Sequence, residues 1–235
     1  TSLKEAKEND IIKSNPAKKV KAPKYIKPDI PHYSIDQAKT LIKKIDDDYI
    51  LKPVVYLAIY TGIRRSEIAG LQWSDIDYEN SIINIRRARV RAGNEIIVKE
   101  PKNATSKRTV YMSEELAIKL REVRDMQIET KELLGNLYKE TNYIVVNQYG
   151  TEVNPGYIST LFGRFLKKHE LPKIPLHGLR HSTASILLNS GVPIEEISDI
   201  LGHADITTTK RVYAHWEDKT HKKTMQEYGK ILSIE

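Results

Sequence analysis

Arg64 follows a break in an apolar run at Thr61-Gly62, and His177 and Arg180 stand three residues apart. His203 follows Leu201-Gly202, Tyr213 comes after a run of threonines, and Lys102 lies in the polar, basic segment Glu100 to Lys107. Between them these residue types can do the work of cleaving an anionic ester. A guanidinium stays charged and offers a planar fork that fits phosphate oxygens. An imidazole titrates near neutrality, so it can donate to those oxygens or take a proton. An ammonium can protonate a leaving oxygen. A phenol can act as nucleophile once it has lost its proton, which at a free pKa of about 10 needs help from nearby cations or a base. Singly, each residue has a commoner structural use. A lone Arg after a helix break pairs with a surface acid, and a His/Arg pair at i, i+3 braces a helix start. A His at a helix end meets its carbonyls, and a helical Tyr, one of 13 here, packs in a core.

Order and context separate these residues from that background. Thr61-Gly62-Ile63-Arg64-Arg65-Ser66-Glu67, running on to Leu71-Gln72-Trp73-Ser74-Asp75-Ile76, resembles the first arginine box of the tyrosine recombinases of the phage-integrase type. Leu176-His177-Gly178-Leu179-Arg180-His181-Ser182 resembles their His-x-x-Arg box. Leu201-Gly202-His203, then Thr207-Thr208-Thr209, then Tyr213-Ala214-His215, resembles the box that ends in the nucleophile. Pro101-Lys102-Asn103-Ala104-Thr105-Ser106-Lys107-Arg108-Thr109-Val110 is similar to the turn that carries the family's catalytic lysine. The four boxes occur in the family's order over about residues 34 to 215.

The resemblance implies site-specific DNA recombination, integration or excision of a mobile element, through a 3′-phosphotyrosine at Tyr213. It assigns Arg64 and Arg180 to the phosphoryl oxygens and His203 as a further donor to them. His177 either donates or accepts the tyrosine proton, and Lys102 is the general acid for the leaving 5′ oxygen. Lys99, Lys107 and Arg108 flank the basic turn and are expected to touch phosphates. Glu67, three residues after Arg64, either orients its guanidinium or is an exposed helix acid. Trp73 is expected in the core. The covalent link conserves the energy of the cut bond, so resealing needs no ATP, in keeping with the absence of a GxxxxGK[ST] pattern. The cationic groups can do the electrostatic work that metal ions do in other nucleases, so no metal and no other cofactor is expected.

These residues need elements to position them. Ser34 with Gln37 reads as a capping box before Ala38, Leu41, Ile42 and Ile45 at helical spacing. Helices are expected over 53–60, with Pro53 in the first turn, and over 65–71. Strands are expected at Ile82 to Ile85, at Glu95 to Lys99 behind the turn Ala92-Gly93-Asn94, and at Arg108 to Met112, with Glu100 to Lys107 as a hairpin loop. Ser113 starts a long helix. Further helices are expected over 154–169, 178–189, 193–201 and 207–213. The fold class is therefore mainly α with a small antiparallel β-sheet (α+β); the resemblance implies the architecture of the tyrosine-recombinase catalytic domain.

The composition, 40% hydrophobic and 29% charged, is that of an ordinary globular chain, and no apolar run is long enough to span a bilayer. Cysteine is absent, which excludes disulfides and thiolate chemistry. A net charge of +7 and a pI near 9.3 favour a polyanionic partner such as double-stranded DNA. The chain opens without Met on the polar stretch TSLKEAKEND, so an excised, cytoplasmic piece of a longer protein is expected. Residues 1–30 are lysine-rich and resemble the end of a core-binding domain with an extended linker over 15–24. The resemblance implies that residues 31–216 form the catalytic domain. Residues 217–235 form a tail whose Met225, Tyr228 and Leu232 suit docking in cis or trans. The family resemblance implies a homotetramer on DNA and a monomer in free solution. The rival readings are a type IB topoisomerase, which relaxes DNA by the same chemistry, and a basic DNA-binding module without catalysis.

Overall fold

Local sequence signals set the starts of several helices. The computed structural model describes residues 2–20, 30–93, 95–99 and 108–202. A short helix, α1 (Ser2–Glu8), and one 3-10 turn at Pro16–Lys19 come first. That turn corrects the extended linker expected from residue 15. Asn15 Oδ1 accepts from the N–H of Ala17 at 2.9 Å, and Pro16 brings the φ a helical turn needs. The capping box forms as expected. Ser34 Oγ accepts from the N–H of Gln37, and Gln37 Oε1 accepts from the N–H of Ser34, opening α2 (Ile35–Lys44).

Helix α3 (Leu51–Thr61) is apolar nearly all round, as a helix surrounded by others must be. Its Val54, Val55, Tyr56 and Leu57 have no exposed surface. Around it pack α2, α4 (Arg65–Gly70), α5 (Glu114–Leu134), α6 (Pro155–Lys168) and α7 (Leu176–Asn189). Helix α8 (Ile194–Leu201) lies against α7 through Ile197 and Leu201. Trp73 is buried. Its Nε1–H donates to Gln127 Oε1 at 3.0 Å, and Gln127 in turn donates to the carbonyl of Ile144, which ties α5 to the segment beyond it.

The strands differ from expectation in their pairing. Five are present among the described residues: β1 (Ile76–Asp77), β2 (Ile82–Ile85), β3 (Ala88–Ala92), β4 (Glu95–Lys99) and β5 (Arg108–Tyr111). All pairs are antiparallel. β2 lies between β1 and β5, with Ile83 opposite Val110 and Ile85 opposite Arg108. β3 and β4 form a separate two-stranded sheet, with Ala88 opposite Lys99. Residues 100–107 therefore join strands of two different sheets and do not close a β4–β5 hairpin. Strand β3 escapes detection in the sequence because its inward position holds Arg89. That side chain is buried, donates to the carbonyls of Ala69 and Val153 at 3.3 Å each, and lies over the Tyr143 ring.

A strap closes the fold on itself. Residues 31–33 cross α7, where the N–H of Tyr33 donates to Ser182 Oγ at 2.8 Å and the Tyr33 hydroxyl donates to the carbonyl of Pro172 at 2.6 Å. A Cβ at Gly178 would stand 2.5 Å from the Pro31 carbonyl oxygen, so glycine is what allows the strap this close. Burial pushes the Tyr33 phenol up to about 12.

Candidate functional site

The site is built on the left-handed turn that ends α3. The N–H of Gly62 closes the helix onto the Ala58 carbonyl, and its φ of +65° belongs to the region that only glycine enters freely. A Cβ there would also fall 2.3 Å from Leu201 Cδ2. The turn points the Gly62 carbonyl at Arg180, whose Nη1 donates to it at 2.7 Å. Arg180 sits in the second turn of α7 and is buried, 4% exposed, despite its charge. Two residues beyond Gly62 the chain reaches Arg64, the N-cap of α4. One elbow thus places both box arginines. Thr183, on the same helix as Arg180, donates to α3 carbonyls at Ala58 and Ile59 and fixes the two helices together.

Glu67 organises the surface below. It is 7% exposed, so the exposed-acid reading does not hold. Its carboxylate accepts from the N–H of Arg64 at 2.8 Å and from Arg64 Nη1 at 3.0 Å, and it receives both ends of the Arg108 fork at 2.8 and 3.0 Å. Burial opposes ionisation, but the Arg108 and Arg64 hydrogen bonds and charges outweigh it and hold the Glu67 carboxyl below the usual range. The Arg64 side chain remains 43% exposed, and its Nη2 donates to the Gly202 carbonyl at 3.1 Å. Gly202 ends α8 in the left-handed region and lies so near Arg108 that a Cβ would be 2.4 Å from its Nε.

His177 lies in the first turn of α7, exposed, with its ring edge-on to His181 at 4.8 Å between centroids. It lines a groove of about 830 Å³ together with Arg64, Arg65, Ser159 and Lys173. No carboxylate is among the described residues lining this groove, so its electrostatic sign is positive. Arg65, on α4, donates to Ser159 Oγ of α6 at 2.6 Å across it.

The other expected site residues are placed as follows. Arg108 starts β5, and its guanidinium is turned onto Glu67 with the side chain 13% exposed. Lys99 ends β4, exposed, and is not among the groove residues. Lys102, Lys107, His203 and Tyr213 lie outside the described residues, as does the tail over 217–235. Among the described residues no cluster of three His, Cys, Asp or Glu could hold a metal ion, and no helix is long and apolar enough to cross a membrane. The sequence reading marks Gly62 as a helix break and Gly202 as a helix end, and both are left-handed caps, but it does not foresee that their carbonyls hold Arg180 and Arg64. Each stands directly after an apolar helix, and that is the signal for a left-handed cap.

Comparison with known proteins agrees with this fold. The phage integrase family model matches residues 33–220. A tyrosine recombinase XerC-like protein of Caldanaerobacter subterraneus subsp. tengcongensis is 29% identical over 87% of this chain and 54% of its own length. The ICEBs1 integrase of Bacillus subtilis is 28% identical over 95% of this chain and 61% of its own length. The chain thus spans little more than half of either relative. Among solved structures, the Tn1549 transposon integrase in complex with transposon right end DNA superposes with a TM-score of 0.77 at 25% identity, over 96% of this chain and 75% of that one. The XerA recombinase gives a TM-score of 0.65 at 26% identity, over 88% and 66%. With the family model covering residues 33–220, and so the Gly62 elbow and helices α4 and α7, this chain belongs to the phage integrase family.

Proposed function

We propose that this chain cleaves and rejoins duplex DNA in site-specific recombination, inserting or excising a mobile element. The observation that carries the reading is the Gly62 elbow: its carbonyl holds the buried Arg180 at 2.7 Å, and two residues on the chain reaches Arg64, which lines a positive groove with His177. In the proposed reaction the Tyr213 oxygen attacks the phosphorus and the bond to the 5′ oxygen breaks. The DNA keeps its 3′ phosphate as an ester of Tyr213. Arg64 and Arg180 neutralise charge on the non-bridging oxygens, with His203 as a further donor. His177 either joins them or takes the phenol proton, and Lys102 gives a proton to the departing 5′ oxygen. Attack by a 5′ hydroxyl reverses these steps and reseals the strand. No cofactor enters the scheme.

The proposed partner is double-stranded DNA, with Lys99 and Lys107 on its phosphates, and the proposed assembly is a homotetramer on DNA from a free monomer. A second, apolar groove of about 910 Å³, walled by Ile35, Ile42, Ile59, Ile186 and Leu187, is consistent with a C-terminal segment docking between subunits. In the proposed domain plan residues 1–30 belong to the upstream module and its linker, 31–216 to the catalytic domain and 217–235 to the tail.

The test is a nicked duplex carrying the element's attachment core, incubated with the protein in EDTA and resolved on a denaturing gel. A covalent protein–DNA band is expected from the wild type and none from Tyr213→Phe. A band that survives Tyr213→Phe moves the nucleophile elsewhere. No band, even with the upstream module of a longer relative supplied, leaves a DNA-binding module without catalysis.

A further inference from the structure

We propose that Arg108 is a positioning residue that acts on Arg64 through Glu67, and that it is not a phosphate contact; this rests on the recombinase reading of the groove. The side chain is turned inward, and both ends of its fork are spent on one buried carboxylate at 2.8 and 3.0 Å. That same carboxylate takes Arg64 Nη1 at 3.0 Å, on the oxygen that also receives Arg108 Nη1.

Charge decides what this sharing does. Without Arg108, Glu67 and Arg64 form a one-to-one pair in which the carboxylate cancels the guanidinium and draws it down from the groove. With Arg108 present, two cations face one carboxylate and a full positive charge is left over. Arg108 is 13% exposed whereas Arg64 is 43% exposed, so the surplus is presented at Arg64, where a phosphate would meet it. The bidentate fork also fixes the carboxylate plane, and with it the direction of Arg64 Nη1.

Packing holds Arg108 to this task. Gly202 leaves no room beside its Nε, and the Gly202 carbonyl accepts from Arg64 Nη2 at 3.1 Å. The first residue of β5 and the N-cap of α4 therefore meet at one carboxylate, with the C-terminal cap of α8 against both arginines. A guanidinium a few tenths of an ångström out of place there shifts the cation that the reaction relies on, and errors of that kind cost rate steeply.

The experiment is a cycle of four full-length proteins: wild type, Arg108→Gln, Glu67→Gln and the double variant. Arg108→Lys is added as a variant that keeps the charge and loses the fork. Single-turnover covalent-complex formation is measured at saturating nicked duplex, below each variant's melting range. Arg108→Gln is expected to slow cleavage by about 10- to 100-fold. In the Glu67→Gln background the same change is expected to cost less than about threefold, because the carboxylate that would neutralise Arg64 is gone. Arg108→Lys should fall between wild type and Arg108→Gln. Equal losses in both backgrounds would mean that Arg108 meets the DNA directly, and would overturn the proposal. If the wild type does not cleave even with the upstream module supplied, the recombinase reading fails by itself. Affinity for a short mixed-sequence duplex, measured on the same four proteins, then decides the positioning role, with the same non-additivity expected and additivity fatal.

Discussion

Gly62 and Glu67 each control several others at the scale of single residues. Gly62→Ala would force a Cβ into a left-handed turn and against Leu201. We expect a loss of about 1–2 kcal/mol from the backbone alone in urea denaturation, with more from the clash. Weaker covalent-complex formation should accompany it, because the carbonyl that holds Arg180 moves. An unchanged denaturation midpoint would show that the turn relaxes freely. Glu67 has a lowered pKa, so its ionised form stabilises the fold above the unfolded glutamate value of about 4.3, and that contribution is lost as pH falls through the lower folded value. The melting-temperature gap between wild type and Glu67→Gln is therefore expected to be widest near neutrality and to close below about pH 4. A gap that stays constant into acid would sever Glu67 ionisation from stability. Arg64, His177 and Arg180 could be picked out in the sequence because their neighbours form short contiguous boxes, while Lys102, His203 and Tyr213 lie outside the described residues. The Arg108 fork could not, because its partner is 41 residues away and a basic turn gives no sign that its last arginine faces inward.

Among the elements, those with local start signals were legible. Ser34 with Gln37, Ser113, and Asn154 before Pro155 each satisfy N–H groups within three residues, so the sequence alone carries the information. Strand β3 was not legible. Its inward residue is an arginine whose partners lie 20 and 64 residues away, so period-two hydrophobicity never appears. Missing β3 also misassigned the partner of β4. Removing Arg89 tests how much that strand depends on one buried cation. Arg89→Ala strips hydrogen bonds from the Ala69 and Val153 carbonyls and the cation from the Tyr143 ring, and is expected to cost about 2–3 kcal/mol in urea denaturation. A loss under about 0.5 kcal/mol would mean that water replaces the guanidinium without penalty.

Across the whole molecule, the proposed assembly on DNA rests on the apolar groove beside α7 as the seat for a C-terminal segment. A chain ending at residue 216 is expected to sediment as a monomer both free and on duplex, while the full chain gains mass on DNA beyond one copy per site. Equal assembly by both would place the subunit contacts elsewhere. The strap of residues 31–33 has a different consequence, for the order in which the protein can be made. Tyr33 leaves the ribosome 149 residues ahead of Ser182, to which its N–H is bonded. At about 5–20 residues per second, the strap waits on the order of 10 s for the helix it must lie on. The first part of the main body to be synthesised is thus among the last to be fixed. Until α7 emerges, the phenol of Tyr33 and the apolar face of α2 have only unfinished chain to cover them, and synthesis is the interval in which this fold is most open to chaperones and to misassociation.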